Sequence, residues 1–290
     1  MKIAIIGAGT MGQGIAQVCA QAGLDTILFD INAAAAEQAQ RATRETWTTL
    51  GYKGKITPEA RAQAEAHLTV TTNFNDLVAD VLLEAVVERL DVKQELFRQL
   101  AALNPPTTIL ASNTSSIPIT RIAAGIPNPE RVVGLHFFNP APVMKLVEVI
   151  AGAATSEAVM AQMMALAERL GKTPARVRDA PGFIVNRVAR PYYTENLRLL
   201  EEGVASHETL DDLLESAGFR MGAFRLMDLI GVNTNFAVTS SLFQAFHFEE
   251  RFRPNRIQEQ KVDAGHWGRK TGKGFYDYAP PAPAPVPAPQ

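Results

Sequence analysis

The chain has 290 residues, 47% of them hydrophobic, a length that fits one large domain or two modest ones with real cores. Its net charge is −2 with both signs interspersed, so no basic field for nucleic acid is present. Cys19 is the single cysteine, which excludes an intramolecular disulfide and a cysteine-built metal site; no metal is expected.

Met1 leads straight into a strand pattern, Lys2–Ile6, with no charged leader or cleavage site ahead of it. No apolar run approaches the ~18–20 residues of a membrane span. A cytoplasmic protein without nucleic-acid or membrane partners is the expectation. The strand runs into Gly7-Ala8-Gly9-Thr10-Met11-Gly12, and an apolar helix pattern follows (Ile15, Ala16, Val18, Cys19, Ala22), closed by Gly23. Residues 25–29 read as a second strand ending in Asp30. Asp30 stands 18 residues beyond Gly12, near the spacing of about 20 in a dinucleotide-binding fingerprint. Gly7 permits a tight turn, Gly9 lets a pyrophosphate approach the backbone, and Gly12 lets the helix pack close. The N–H groups at the start of that helix, around Thr10 and Met11, can face phosphates. Asp30 would bind the adenosine ribose and repel a 2′-phosphate, which favours NAD over NADP. A structural glycine turn with a helix-capping acid is the alternative.

Residues 33–51 form an Ala-rich helix that stops at Gly51. Lys53 and Lys55 follow in an exposed connection, which composition alone reads as a solvated loop. Thr57-Pro58-Glu59 starts a helix over 58–66, with Thr as N-cap and Pro at the first position. Residues 68–71 are a short strand. Val81–Ala85 is an apolar strand that Val86-Val87-Glu88 carries to its end. Asp91 and Gln94 resemble a capping box for an amphipathic helix from Val92 to Leu103, ended by Pro105-Pro106. Thr108–Ala111 is the next strand. Ser112-Asn113-Thr114-Ser115-Ser116 follows, a polar cluster that a plain turn would also explain. Pro118 limits the local helix.

The run from Arg131 to Leu135 ends in His136, and Asn139 and Pro140 break the pattern. A second alternating run, Met144 to Ile150, contains Glu148. Two strands joined by a turn put His136 at one strand's end and Glu148 on its neighbour. A carboxylate in an apolar strand needs a partner. An imidazole oriented by a carboxylate makes a general base that works near neutral pH. The alternatives are a core histidine, and a Glu148 paired with Lys145 or Arg131. The glycine turn, Asp30, Glu88, Ser112–Ser116 and His136 all lie at strand carboxyl ends, where open α/β sheets bind ligands.

A helix at about 156–170 stopped by Gly171, a strand Ala175–Arg178 and the turn Asp179-Ala180-Pro181-Gly182 complete an expected α/β domain over 1–182. Strand patterns then stop. Phe183–Glu202 reads as a long helix kinked at Pro191. Ser206 caps the next, which ends at Gly218, and residues 224–230, 234–248 and 255–264 read as further helices. Residues 183–279 are expected to form an all-helical domain. Its surplus apolar surface on Phe183, Val188, Tyr192, Leu197, Leu199 and Leu200 points to a homodimer. Gly268 to Gly274 lacks the G-x-x-x-x-G-K-[ST] spacing of a phosphate loop and reads as a turn before Phe275-Tyr276. Residues 280–290, nearly all Pro and Ala, are expected to be disordered.

Taken in order, the glycine motif, SNTSS, GLHFFNP, MKLVEV, PGFIVNR and GRKTGKGFYDY closely resemble the NAD-dependent 3-hydroxyacyl-CoA dehydrogenase family, which includes bacterial 3-hydroxybutyryl-CoA dehydrogenases. The likeness covers about residues 1–278. It implies a Rossmann-type dinucleotide-binding domain followed by an all-helical C-terminal domain. It also implies NAD as cofactor, an acyl-CoA substrate and a place in fatty-acid β-oxidation. In the resemblance His136 is the catalytic base and Glu148 its orienting carboxylate. Ser115 would hydrogen-bond the reacting oxygen, and Asn186 of PGFIVNR would complete the site. Asp30, Glu88 and Lys93 match residues that contact the dinucleotide, with Asn113 and Ser115 beside it and Asn139 near its nicotinamide end. Lys53 and Lys55 fall in the family's CoA-contacting lysine segment, which reverses the reading from composition. The departures are Met221-Gly222-Ala223-Phe224 where MGPF is usual, Asn233 where Asp is common, and Trp267 for a smaller apolar residue. They bear on acyl specificity, for which 3-hydroxybutyryl-CoA is the expectation and 3-hydroxyadipyl-CoA the alternative. Two rivals are a dehydrogenase of the short β-hydroxyacid type, which relies on a lysine, and a catalytically silent NAD-binding relative. HFFNP argues against the first, and intact Ser115, His136, Glu148 and Asn186 against the second.

Overall fold

In the computed structural model, which describes residues 1–278, the short aliphatic runs pair into one eight-stranded sheet. Its strands are Lys2–Ile6 (β1), Asp25–Phe29 (β2), Leu68–Thr71 (β3), Val81–Glu84 (β4), Ile109–Ser112 (β5), Val132–Phe137 (β6), Leu146–Ala151 (β7) and Thr173–Arg178 (β8). They lie in the order β3-β2-β1-β4-β5-β6-β7-β8. The first six are parallel, β7 turns back antiparallel to β6, and β8 runs parallel to β7. The switch in chain order falls between β1 and β4, the place where doubly wound sheets take up a ligand.

Parallel strands are covered on both faces, so they read as continuous apolar runs rather than alternating ones. Ile3 and Ile5 join one core with Leu28, Leu83 and Val133, while Ala4 and Ile6 join another with Ile27, Leu82 and Val132. Helix Thr10–Gln21 (α1) covers the first core through Ile15 and Cys19. Helices Ala33–Tyr52 (α2) and Pro58–Ala66 (α3) precede β3, and Thr57 caps α3 with Pro58 at its first position. Leu90–Leu103 (α4) and Ile119–Ala123 (α5) supply Phe97, Leu100, Ile119 and Ile122 to the second core. Glu157–Arg169 (α6) brings Met160 and Met163 to the first.

Two local expectations need correction. Helix α4 begins at Leu90 with Arg89 as its N-cap, so Asp91 lies inside the first turn, ion-paired with Arg89, and forms no capping box. An acid there still faces the positive end of the helix dipole. Pro118 starts a helix instead of limiting one: it is the N-cap of α5, a place where its missing N–H costs nothing.

The chain divides into two compact units, Met1–Phe183 and a second from Ile184 onward. The second contains Val185–Glu201 (α7, with Pro191 inside it), His207–Ser216 (α8), Ala223–Ile230 (α9), Val232–Ala245 (α10) and Arg256–Asp263 (α11). Its core gathers Tyr193, Leu197, Leu210, Phe224, Met227 and Phe275. Two buried acids tie it together. Asp228 accepts the N–H groups of Phe275 and Tyr276, both at 2.9 Å. Asp211 accepts those of Phe224 and Arg225 at 2.9 Å and the Tyr276 hydroxyl at 2.8 Å. A Cβ at Gly274 would stand 2.1 Å from an Asp228 oxygen, so only glycine admits this approach. GRKTGKGFYDY is thus a strap closed on an aspartate. Among the described residues no helix is long and apolar enough to cross a membrane. The expectation for 280–290 lies outside the described residues.

Candidate active site

Register aligns the strand ends in one row. Ile6 pairs with Phe29 and with Glu84, Glu84 with Ser112, and Ser112 with Gly134. The turns that leave β1, β4 and β5 therefore issue side by side, with His136 two residues further along β6. The phosphate-type turn comes first. Gly7 has φ +105°, and a Cβ there would lie 2.7 Å from the Ala85 carbonyl oxygen. A Cβ at Gly12 would meet the Gly7 oxygen at 1.8 Å, while one at Gly9 would have nothing within 4 Å. So Gly7 and Gly12 are packing positions, and the backbone at Gly9 is open to a ligand. The first intrahelical bond runs from Gln13 N–H to Gly9, and Gly9 caps α1 with no side-chain bond. The N–H groups of Thr10, Met11 and Gly12 thus precede the helix ladder and are oriented for an anion. Asp30 accepts the Ala8 N–H at 2.8 Å and the Asn32 N–H at 2.9 Å. It braces the glycine turn from the end of β2, and its oxygens keep lone pairs for further donors. These residues fit a dinucleotide.

The polar turn after β5 is organised by Glu88. One of its oxygens accepts the Thr114 hydroxyl at 2.6 Å, the Ser115 N–H at 3.1 Å, and the Ser116 N–H and hydroxyl at 3.2 and 2.9 Å. The other oxygen lies 3.1 Å from the Lys93 ammonium. Burial by itself would raise the Glu88 carboxyl, but the Lys93 charge and the Thr114, Lys93 and Ser116 bonds outweigh it and hold the group below the usual carboxylate range. Ser115 gives this arrangement only its backbone N–H, so its hydroxyl is not committed to it. Asn113 takes its N–H to the Glu84 carbonyl at 2.8 Å and accepts the Phe137 N–H on its side-chain oxygen at 2.8 Å. It thereby fastens this turn to the strand that carries His136.

His136 and Glu148 are directly paired across the antiparallel β6–β7 ladder, and Nδ1 lies 2.8 Å from the Glu148 carboxylate. The period of two puts both on the same face. His136 is 6% exposed and Glu148 0%. An ionised carboxylate only accepts, so Nδ1 carries the proton and Nε2 the lone pair. Phe138 and Phe183 stand 4.5 and 5.8 Å from the imidazole ring, a largely apolar surround. A base fixed in tautomer and orientation can take a proton from a substrate hydroxyl and return it.

Comparison with known proteins gives the family. Residues 2–180 match the family described as 3-hydroxyacyl-CoA dehydrogenase, NAD binding domain, and residues 182–278 match the 3-hydroxyacyl-CoA dehydrogenase, C-terminal domain. This chain belongs to the 3-hydroxyacyl-CoA dehydrogenase family. NAD is its cofactor. It is 51% identical over 278 residues to a 3-hydroxyadipyl-CoA dehydrogenase of Escherichia coli K12, covering 95% of this chain and 58% of that relative's length. It is 41% identical to a probable 3-hydroxybutyryl-CoA dehydrogenase of Bacillus subtilis 168, over 96% of this chain and 97% of the relative. The crystal structure of an (S)-3-hydroxybutyryl-CoA dehydrogenase from Ralstonia eutropha superposes with TM-score 0.93 at 40% identity, over 96% of this chain and 99% of the other.

The remaining family positions fall in several places. Lys93 is 1% exposed on the first turns of α4, its ammonium engaged by Glu84 at 2.5 Å as well as by Glu88. Asn139 is exposed in the turn between β6 and β7. Lys53 and Lys55 are exposed just past the end of α2. Asn186 lies in the second unit, on the first turn of α7, where its carbonyl accepts from Arg190. Of the departures from the family pattern, the Asn233 side-chain oxygen is buried with no hydrogen-bond partner, and the Trp267 indole donates to the Val262 carbonyl at 3.0 Å.

Two residues at this edge escape a reading of the sequence. Glu84 is 0% exposed at the end of β4, and an acid closing an apolar run was the signal that could have revealed it. Lys172 is 8% exposed and donates to the Ala141 and Met144 carbonyls at 2.6 and 2.9 Å, pinning the turn that contains Asn139. Burial, and then the charge of Lys145, lowers its ammonium from the usual lysine value. No local pattern marks Lys172 out from an ordinary lysine after a helix.

Proposed function

We propose that this protein reversibly oxidises a (3S)-3-hydroxyacyl-CoA to the 3-ketoacyl-CoA, with a short acyl group such as 3-hydroxybutyryl. The observation that carries the reading is the buried His136–Glu148 pair at the sheet edge that also holds the glycine turn. His136 Nε2 takes the proton of the substrate's 3-hydroxyl. Glu148 holds the imidazole in that tautomer and steadies the positive charge it acquires. The Ser115 hydroxyl positions the reacting oxygen, and Asn186 holds the thioester side of the substrate. Asp30, Glu88, Lys93, Asn113 and Asn139 serve the cofactor, and Lys53 and Lys55 the phosphates of CoA. Bound NAD supplies the acceptor for the substrate's C3 hydride. In the reverse direction the imidazolium returns its proton to the 3-keto oxygen. The α/β domain, 1–182, holds the dinucleotide, and the helical domain, 183–279, serves substrate binding and forms a homodimer in the cytoplasm. β-Oxidation is the natural setting for this reaction.

A second reading has its own support. The relative that is 51% identical is named for 3-hydroxyadipyl-CoA, a substrate with a distal carboxylate. One assay separates the two: oxidation of NADH with acetoacetyl-CoA, then kcat/KM across C4 to C16 3-hydroxyacyl-CoAs and 3-hydroxyadipyl-CoA. A maximum at C4 supports the first reading and a maximum at the dicarboxylic substrate the second. Tight NADH binding with no turnover on any of them would overturn both. A concentration-independent monomer mass in sedimentation would remove the dimer.

A further inference from the structure

Glu84 ends β4 as the last residue of the run Val81-Leu82-Leu83-Glu84, and its side chain has no access to solvent. One of its oxygens accepts the Val86 N–H at 2.7 Å and the Lys93 ammonium at 2.5 Å. The other accepts the Ser112 hydroxyl at 2.7 Å. Lys93, itself 1% exposed, bridges from Glu84 to the outer oxygen of Glu88 at 3.1 Å. The inner oxygen of Glu88 then collects the donors of Thr114, Ser115 and Ser116. Ser112 adds a shorter route, since its hydroxyl oxygen accepts the Thr114 N–H at 3.2 Å.

Such an array is a poor device for stability alone. Two carboxylates share one ammonium, and packed apolar side chains commonly serve a buried position as well or better than an ion pair does. Its geometry has a direction, however. Each group bonds the next, and the chain ends on the backbone N–H of Ser115. The same strand end reaches His136: the Glu84 carbonyl takes the Asn113 N–H, and Asn113 takes that of Phe137.

We infer that Glu84 is a positioning residue for the reaction, acting through Lys93 and Glu88 to fix the backbone that presents the Ser115 hydroxyl. The inference rests on the dehydrogenase reading for Ser115. Lys93 is the link in this chain: its charge holds one oxygen of Glu88 and leaves the other to the serine turn. Without the Glu84 charge, Lys93 is held by one carboxylate instead of two, and the turn loses its anchor in the sheet.

The test uses the full chain with Glu84→Gln, Lys93→Met and the double variant. Three quantities are read: steady-state kinetics with acetoacetyl-CoA and NADH, NADH affinity by fluorescence titration, and deuterium exchange of the amides of 113–117. Glu84→Gln should lower kcat by roughly 10- to 100-fold with KM for acetoacetyl-CoA nearly unchanged, since misplacement of a positioning group costs rate. Exchange at 114–117 should quicken at least about tenfold while the rest of the sheet keeps its protection. The double variant should be no slower than the worse single one, because both act through one chain. A wild-type kcat in Glu84→Gln, unchanged exchange at 114–117, additive losses, or acceleration of exchange throughout the unit would each overturn the inference. Should Glu84→Gln fail to fold, Ser112→Ala removes one bond to the same carboxylate and should give the same pattern at about three- to tenfold. If the wild-type protein does not turn over acetoacetyl-CoA, the reading of the reaction falls, and exchange at 114–117 still decides whether Glu84 orders the turn.

Discussion

Among the described residues four carboxylates are fully or almost fully buried, and they are of two kinds: Glu84 and Glu148 at the edge of the sheet, Asp211 and Asp228 in the helical unit. The aspartates accept mainly backbone N–H groups, Phe224 and Arg225 for one, Phe275 and Tyr276 for the other. The glutamates reach side chains that bond, or can bond, a further partner beyond them. Glu148 holds His136 by Nδ1, and Glu84 holds Lys93 and the Ser112 hydroxyl. The donors on Asp211 and Asp228 belong to the packed helical core and present no reacting group, so these two acids are architecture. An imidazole or ammonium held at one atom presents the rest of itself in a fixed direction, which is what catalysis needs. Burial of a charge therefore does not identify a catalytic residue; the nature of its partner does.

Loss of the His136 imidazole should have the largest effect. His136→Gln should lower kcat by about 10²- to 10⁴-fold, the usual worth of a general base, with NADH affinity and melting temperature close to wild type. Glu148→Gln should follow at about 10²-fold, because an amide neither enforces the tautomer nor stabilises the imidazolium. Wild-type turnover in either would end the assignment of the pair. Asp228→Ala should show the reverse pattern. It leaves one buried and one partly buried N–H group without an acceptor and should cost about 3 kcal/mol by denaturant titration, while kcat stays near wild type where the protein is folded. A large kcat loss with unchanged stability would erase the distinction between the two kinds of acid. Gly274→Ala sharpens the same point, since its Cβ would meet an Asp228 oxygen at 2.1 Å. A loss of about 1–3 kcal/mol is expected there from overpacking, again without a specific effect on rate.

The smallest effect concerns pH. Glu88 titrates below its ordinary value of 4.5 because Lys93 and the Thr114 and Ser116 bonds outweigh its burial. Between the ordinary and the lowered value the unfolded chain holds a proton that the folded one does not. The stabilisation is therefore complete above the ordinary value and drains away as pH falls through the lower one. The stability gap between wild type and Glu88→Gln should hold level down to about pH 5 and close in stronger acid. A gap that widens in acid would contradict the sign.

Much of this protein was decided within short stretches of chain. The strands 2–6, 25–29 and 68–71 and the helix 58–66 form over the residues their patterns indicate, because apolar runs, a Thr-Pro start and glycine stops act locally. The facing of His136 and Glu148 was also legible, since a hairpin and a period of two leave few other registers. The carboxyl-end edge followed from the strand–turn–helix order at Gly7–Gly12. The tertiary structure alone decided the partners that lie far apart in sequence. It brought Lys93 between Glu84 and Glu88, closed the serine turn on Glu88 from 26 to 28 residues away, and laid residues 275–276 on Asp228 across 47 and 48. It also started α4 at Leu90, where Asp91 lies within the first turn instead of capping it. Local propensity and periodicity act over a few residues, whereas a buried charge takes whichever partner packing brings beside it, and only the folded chain sets that neighbour.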